Sequence, residues 1–386
     1  MVSDWKIFII LTKGKLKLYK MKKLTYKQSG VNYETIDYLK RIAQVAGEKT
    51  VNNLPDDFKE ISQSRGESAH VVDAGEFYFA SVTEGLGTKS LVADEMYPLT
   101  GKTYYDSLAY DTVAMIINDL ITVGAKPLTL MAYWAAGSSD WFSDKKRADD
   151  LVSGWTRASN DSGTVWGGGE TPVLSGVIEK DRIDLAGSCF GIINPKSNLC
   201  LGEKLVAGDR IILFESSGIH ANGLTLARKI ADSLPEGYLT KVDGDKTYGE
   251  LLLTPTIIYA KLIEKLFSNN VDIHYMTNIT GHGWRKLMRH KKDLTYKITD
   301  LPPIPKVLQF IVEQGKLDEK EAYGNLNMGA GFAIFVPARE VSQVINMAKK
   351  LEIKAYNCGI VESGEKKIII EPKNIIFEKE SLQVRI

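Results

Sequence analysis

Two aspartates eight residues apart, Asp111 and Asp119, stand in the segment 105–123, YDSLAYDTVAMIINDLITV, which reads as a helix ended by Gly124. Eight helical steps of about 100° come to about 80° past two full turns, so both carboxylates share one face, with Asn118 beside Asp111. Val113, Ile116, Ile117 and Leu120 occupy the other side. Carboxylates on an otherwise apolar helix call for a partner. A hard cation such as Mg²⁺, which takes carboxylate oxygens together with nucleotide phosphates, is one such partner. Two solvated surface aspartates fit the same spacing.

Three loops could meet such a cation or its anion. Thr83-Glu84-Gly85-Leu86-Gly87-Thr88-Lys89 follows the strand-like run 77–82 and offers bare amides, a hydroxyl and an ammonium, a set suited to a phosphate chain. Its spacing is not that of a P-loop, and an ordinary connection fits it too. Gly167-Gly168-Gly169-Glu170-Thr171 reads as a glycine-rich turn with one more acid, or as a tight link between strands. Ser216-Ser217-Gly218-Ile219-His220-Ala221-Asn222-Gly223 closes a strand and opens a helix at Leu224. Unpaired N–H groups and the positive helix end there suit a phosphomonoester, and a simple cap would not need two hydroxyls, a histidine and an amide together. His282 reads as a loop histidine, and the basic run Arg285, Lys286, Arg289, Lys291, Lys292 as a solvated helix face.

The elements that would carry these loops alternate irregularly. Apolar residues recur at helical spacing over 32–46, 149–162, 255–267, 304–314 and 341–350. Runs at 71–72, 77–82, 128–134, 183–193 and 331–336 read as strands, and 208–234 reads as strand, turn, helix. With 386 residues, about two and a half times a ~150-residue domain, the chain predicts two α+β domains, residues 21–195 and 196–386. Residues 1–20 read as an extension upstream of Met21. Lys plus Arg number 49 against 48 acids, a net charge of +1 that weighs against a nucleic-acid binder. No apolar run reaches the ~20 residues of a membrane span, and the apolar run 7–11 is too short for a signal-peptide core. Three unclustered cysteines form neither a disulfide framework nor a metal spacing, which suits a reducing, cytoplasmic setting.

Taken in order along the chain, the motifs resemble those of the aminoimidazole ribonucleotide synthetase (phosphoribosylformylglycinamidine cyclo-ligase) family. Tyr26-Lys27-Gln28-Ser29-Gly30-Val31 resembles its opening Tyr-Lys-x-x-Gly-Val, and TEGLGTK its Thr-Asp-Gly-Val-Gly-Thr-Lys. Asp106, then Asp111 through Asn118-Asp119 to Gly124-Ala125-x-Pro127, matches its acidic helix. Gly168-Gly169-Glu170-Thr171, Asp184-x-Ala186-Gly187, SSGIHANG, Leu253-x-Pro255-Thr256-x-x-Tyr259, Ile279-Thr280-Gly281 and Asn327-x-Gly329-x-Gly331 follow collinearly.

The resemblance implies a two-domain fold: an N-terminal β-sheet with helices that pairs with its copy in a homodimer, and a C-terminal α/β sandwich. It implies ATP and Mg²⁺ near that interface, and a small ribonucleotide substrate whose formyl oxygen is phosphorylated before an amidine nitrogen closes the imidazole ring. Glu84, Asp119 and Glu170 would hold the metal, supported by Asp111. Thr83, Gly85, Gly87, Thr88, Asn118, Gly168, Gly169 and Thr171 would line the nucleotide, and Lys27 and Lys89 would offset phosphate charge. Ser216, Ser217, Gly218, Asn222 and Gly223 would hold the ribonucleotide, with His220 handling a proton near neutral pH.

Four departures cluster near the implied cleft. Glu84 replaces the family's aspartate, QSRGESAH (63–70) replaces a glycine-rich stretch, Pro172-Val173-Leu174-Ser175-Gly176 follows GGET, and His282 interrupts a glycine triplet. Among the family's wider relatives, selenophosphate synthetase wants a reactive cysteine near the N-terminus, where none precedes Cys189. A thiamine-monophosphate kinase-like enzyme and a non-catalytic nucleotide-binding regulator are the alternatives that the residues leave open.

Overall fold

Two mixed β-sheets, each backed by helices, organise the computed structural model, which describes residues 6–12, 15–21 and 33–385. Lys27 and the Tyr26–Val31 motif lie outside the described residues. A short antiparallel hairpin, Lys6–Thr12 with Lys15–Met21, precedes the first helix, Tyr33–Glu48.

The first sheet runs in the order Lys59–Glu60, His70–Asp73, Tyr78–Gly85, Ile183–Ile193, Lys126–Ala136, Val165–Glu170. All its neighbours are antiparallel except the last pair. The alternation of strand 183–193 puts Ile183, Leu185, Cys189 and Ile193 inward, against helices Tyr105–Ile121 and Lys145–Ser162. Gly187 permits that packing, because a Cβ there would come within 2.9 Å of Ile116. The opposite face stays open and carries Phe79, Met131, Val165 and Phe190 at 36–67% exposure.

The second sheet runs Tyr275–Asn278, Ala330–Val336, Arg210–Glu215, Ala355–Ser363, Leu294–Ile298, Lys367–Ile370, Ile375–Glu378. Its strand Ala330–Val336 is buried along its whole length. The chain passes from one sheet to the other between Ile193 and Arg210. The fold is α+β with two domains, as the alternation of elements predicts.

Two local expectations are corrected, and one helix joins those expected. Gly167–Glu170 is not a turn but part of an edge strand, and a Cβ at Gly169 would stand 2.2 Å from the carbonyl oxygen of Ala132. The helix expected from 255 starts at Ala260, because residues 255–259 lie across the first domain and bond to its helix instead. Lys89–Thr100 is a helix that no 3.6-residue pattern announces. The Tyr33–Glu48 helix forms as its spacing predicts but faces the other way. Asp37 is buried, whereas Ile36, Leu39, Ile42 and Val45 are 40–63% exposed.

Candidate active site

Glu84 occupies the inward, alternate position of its strand after Ala80 and Val82, so the pleat aims its carboxyl at the helix that carries Asp119. The two acids line one cavity of about 470 Å³, walled by the first helix, the loop 65–68, the segment 282–289 and the C-terminal tail. Asn278 from the second domain fixes Asp119, its Nδ2 donating to Oδ1 at 2.7 Å. Burial, reinforced by the Asp119 charge beside it, pushes Glu84 up to about 7. Lys286 completes the group. Burial lowers its ammonium to about 8, and that ammonium donates to the Thr280 hydroxyl.

His282 is no free loop histidine. It is buried, and its Nε2 lies 2.9 Å from Oδ2 of Asp37, which ties the first helix over the cavity. Gln44 donates to the carbonyl of Val384 at 2.9 Å, and Arg385 pairs with the buried carboxylate of Glu67, so the tail closes the same wall. Lys286 and Arg289 both line the cavity, so the expectation of a solvated basic face fails for them. The usable signal lay in their position just after Thr280-Gly281, where the segment 283–288 turns as a 3₁₀-helix and brings them round to the cleft.

Glu170 does not join the two acids. The register Glu84–Gly187–Ala132–Gly169 places its strand three spacings away, about 14 Å, and Gly168, Gly169, Glu170 and Thr171 are all exposed outside the cavity. Among the described residues, no group of three or more His, Cys, Asp or Glu is gathered to hold a metal. The trio expected at one cation is therefore a pair.

Lys89 and Asp111 also stand elsewhere. Both are fully buried and pair at 2.6 Å, and the Lys89 ammonium also donates to the carbonyls of His220 and Thr254 at 3.0 Å each. Asp111 accepts the Thr256 amide at 2.7 Å. Asn118 donates to the carbonyl of Ile257 at 2.8 Å and accepts the Tyr259 amide at 3.0 Å. These three side chains fasten the two domains together, so the phosphate-neutralising place expected for Lys89 is corrected.

The SSGIHANG turn is likewise built inward. His220 is 3% exposed and accepts the Ser217 amide on Nε2 at 3.2 Å. Burial and the nearby Lys89 charge hold its imidazole down at about 3. A neutral, enclosed acceptor of this kind cannot trade protons near neutral pH, which corrects the expectation for His220. The Ser216 hydroxyl donates to Asn327 at 2.9 Å, Asn327 donates to the Gly218 carbonyl at 2.8 Å, and the Ser217 hydroxyl donates to the Pro255 carbonyl. Gly223 caps the Leu224–Ser233 helix at φ 91°. Thr88, at the start of the Lys89–Thr100 helix, meets Thr225 at 3.3 Å across the domain junction, so two helix N-termini converge there. Asn222, just before Gly223, is half-buried, and Thr83, Gly85 and Gly87 are exposed.

Comparisons with known proteins agree over nearly the whole chain. The family described as AIR synthase related protein matches in two parts, its N-terminal domain over residues 66–193 and its C-terminal domain over 206–371. The phosphoribosylformylglycinamidine cyclo-ligase of Carboxydothermus hydrogenoformans is 36% identical over 361 residues, 91% of this chain and 99% of its own. That of Methanobrevibacter smithii is 34% identical over 349 residues, 88% of this chain and 94% of its own. Among solved structures, thiamine-monophosphate kinase from Stenotrophomonas maltophilia superposes with a TM-score of 0.57 at 15% identity, over 86% of this chain and 97% of that one. The hydrogenase maturation protein HypE in complex with ATP gives 0.53 at 16% identity, over 68% of this chain and 75% of that one. At such identities the structural likenesses show the fold.

Proposed function

The chain belongs to the AIR synthase related family, and from that premise we propose that it is an ATP-dependent ligase which closes formylglycinamidine ribonucleotide to 5-aminoimidazole ribonucleotide, releasing ADP and phosphate, in purine biosynthesis. The observation that carries the reading is the near full-length match, at 32–36% identity, to relatives named phosphoribosylformylglycinamidine cyclo-ligase. Nucleotide use goes with it, since structural neighbours are crystallised with ATP or AMPPCP.

Magnesium fits the residues present. Two carboxylates share one cavity, and burial together with the neighbouring Asp119 charge keeps a proton on Glu84 up to about 7, a cost that a bound cation would relieve. Glu84 and Asp119 would hold the ion, which when bound would offset phosphate charge. The remaining task of this chain is positioning: Asn278 fixes Asp119, His282 and Asp37 hold the first helix over the cavity, and the convergent helix ends near Thr88 and Asn222 offer amides to a phosphomonoester.

A homodimer and a cytoplasmic setting belong to the same reading. The open apolar face of the first sheet supports the dimer, because a soluble antiparallel sheet normally turns polar residues to water. The three cysteines are free and buried, and among the described residues no helix is long and apolar enough to cross a membrane.

The test is coupled ADP release with formylglycinamidine ribonucleotide, beside growth without purines of cells lacking the cyclo-ligase. Substrate-dependent ADP formation and rescue are expected. ATP binding without turnover would favour a non-catalytic regulator, and turnover of thiamine monophosphate a kinase.

A further inference from the structure

Lys286 is the cavity's least accounted-for charge. Among the described residues its ammonium makes one hydrogen bond, to the Thr280 hydroxyl, and no carboxylate forms an ion pair with it. The other cations of the wall are committed or exposed. Arg65 pairs with Glu60 at 2.7 Å. Arg289 donates to the Gly66 carbonyl at 2.9 Å and to the Ser68 hydroxyl at 2.7 Å. Lys40 lies on the exposed side of its helix. A sheltered ammonium with a single neutral partner bears a desolvation cost that an incoming anion relieves. Glu84 and Asp119 line the same cavity, and their charges reach the Lys286 ammonium without a direct ion pair. A cavity that sets an ammonium with one neutral hydrogen-bond partner beside two carboxylates is suited to a metal-bound polyphosphate.

We propose that Lys286 grips the β- and γ-phosphate end of the bound nucleotide, beside the Glu84–Asp119 pair. The inference rests on the cyclo-ligase reading only in taking ATP as the nucleotide. It concerns a side chain outside every motif that carries the family resemblance.

The experiment is isothermal titration of the full chain with ATP and with AMP, both in Mg²⁺, for the wild type, Lys286→Met and Lys286→Arg. Losing a charge-assisted contact to phosphate weakens binding on the order of 10–100-fold. Lys286→Met is expected to lose ATP affinity on that scale while AMP affinity stays within about twofold, and Lys286→Arg is expected to recover most of the loss. Retained AMP binding also shows that the variant is folded. Unchanged ATP affinity in Lys286→Met, or an equal loss for AMP, overturns the proposal. Turnover of formylglycinamidine ribonucleotide is scored separately. A wild type that binds ATP without turning over that substrate removes the cyclo-ligase reading and leaves the Lys286 comparison standing.

Discussion

Glu84 and Asp119 differ in what holds them, and burial sets the pH behaviour of Glu84. Glu84 keeps its proton up to about 7 in the folded chain, against a usual value of 4.5. Between those values the folded state binds a proton that the unfolded state has released, so stability falls as pH rises through that window. Thermal melts of the nucleotide-free protein from pH 4.5 to 7.5 should show this decline, and Glu84→Gln should flatten it. Metal binding needs the ionised form, so Mg²⁺-dependent ATP affinity should rise as pH passes through about 7. Asp119→Asn is expected to cut turnover at least ~100-fold, as for a lost charge-stabilising group, in a steady-state ADP-release assay. His220→Ala should instead cost about 1–3 kcal/mol of stability, because the Ser217 amide loses its buried acceptor, and should leave the pH–rate profile in place. The residue types were legible in sequence and their company was not. A histidine beside two serines looks the same whether its ring faces a substrate or an enclosed amide, and only the fold supplies Lys89 and Gly331 around it.

Elements reveal which side chains work as fasteners. The Tyr105–Ile121 helix holds the segment 255–259 through Asp111 and Asn118, and the Lys89–Thr100 helix sends its first lysine into the same junction. Asp111→Ala would strand a buried ammonium and is expected to destabilise the chain by about 3–5 kcal/mol in denaturant unfolding. The double change Lys89→Met with Asp111→Leu should recover much of that loss, since it removes both charges together. Helical spacing announced the elements at 33–48, 105–121 and 341–350 because periodicity is a local property. It could not announce that the first helix turns Asp37 inward and Leu39 outward, since facing depends on what the rest of the chain presents. The same limit explains the helix expected from 255: long-range hydrogen bonds from the first domain hold those residues out of the helix.

At the scale of the whole molecule, the open sheet face and the outward apolar side of the first helix leave more apolar surface in water than one chain needs. Light scattering should give twice the chain mass of 42.9 kDa, and Phe190→Lys, placing a charge at the centre of the open face, should halve it. The two-domain α+β plan was legible from length and from the order of strands and helices. The cleft was not, because its walls come from residues as far apart in sequence as Lys40, Glu84, Lys286 and Val384. Arg385 is locked onto Glu67, and its guanidinium also donates to the Gln63 carbonyl at 2.6 Å, at the rim of the cavity. Freeing that anchor with Arg385→Ala should therefore loosen residues 382–384 from the cavity wall, which amide hydrogen exchange would register as faster labelling of the tail.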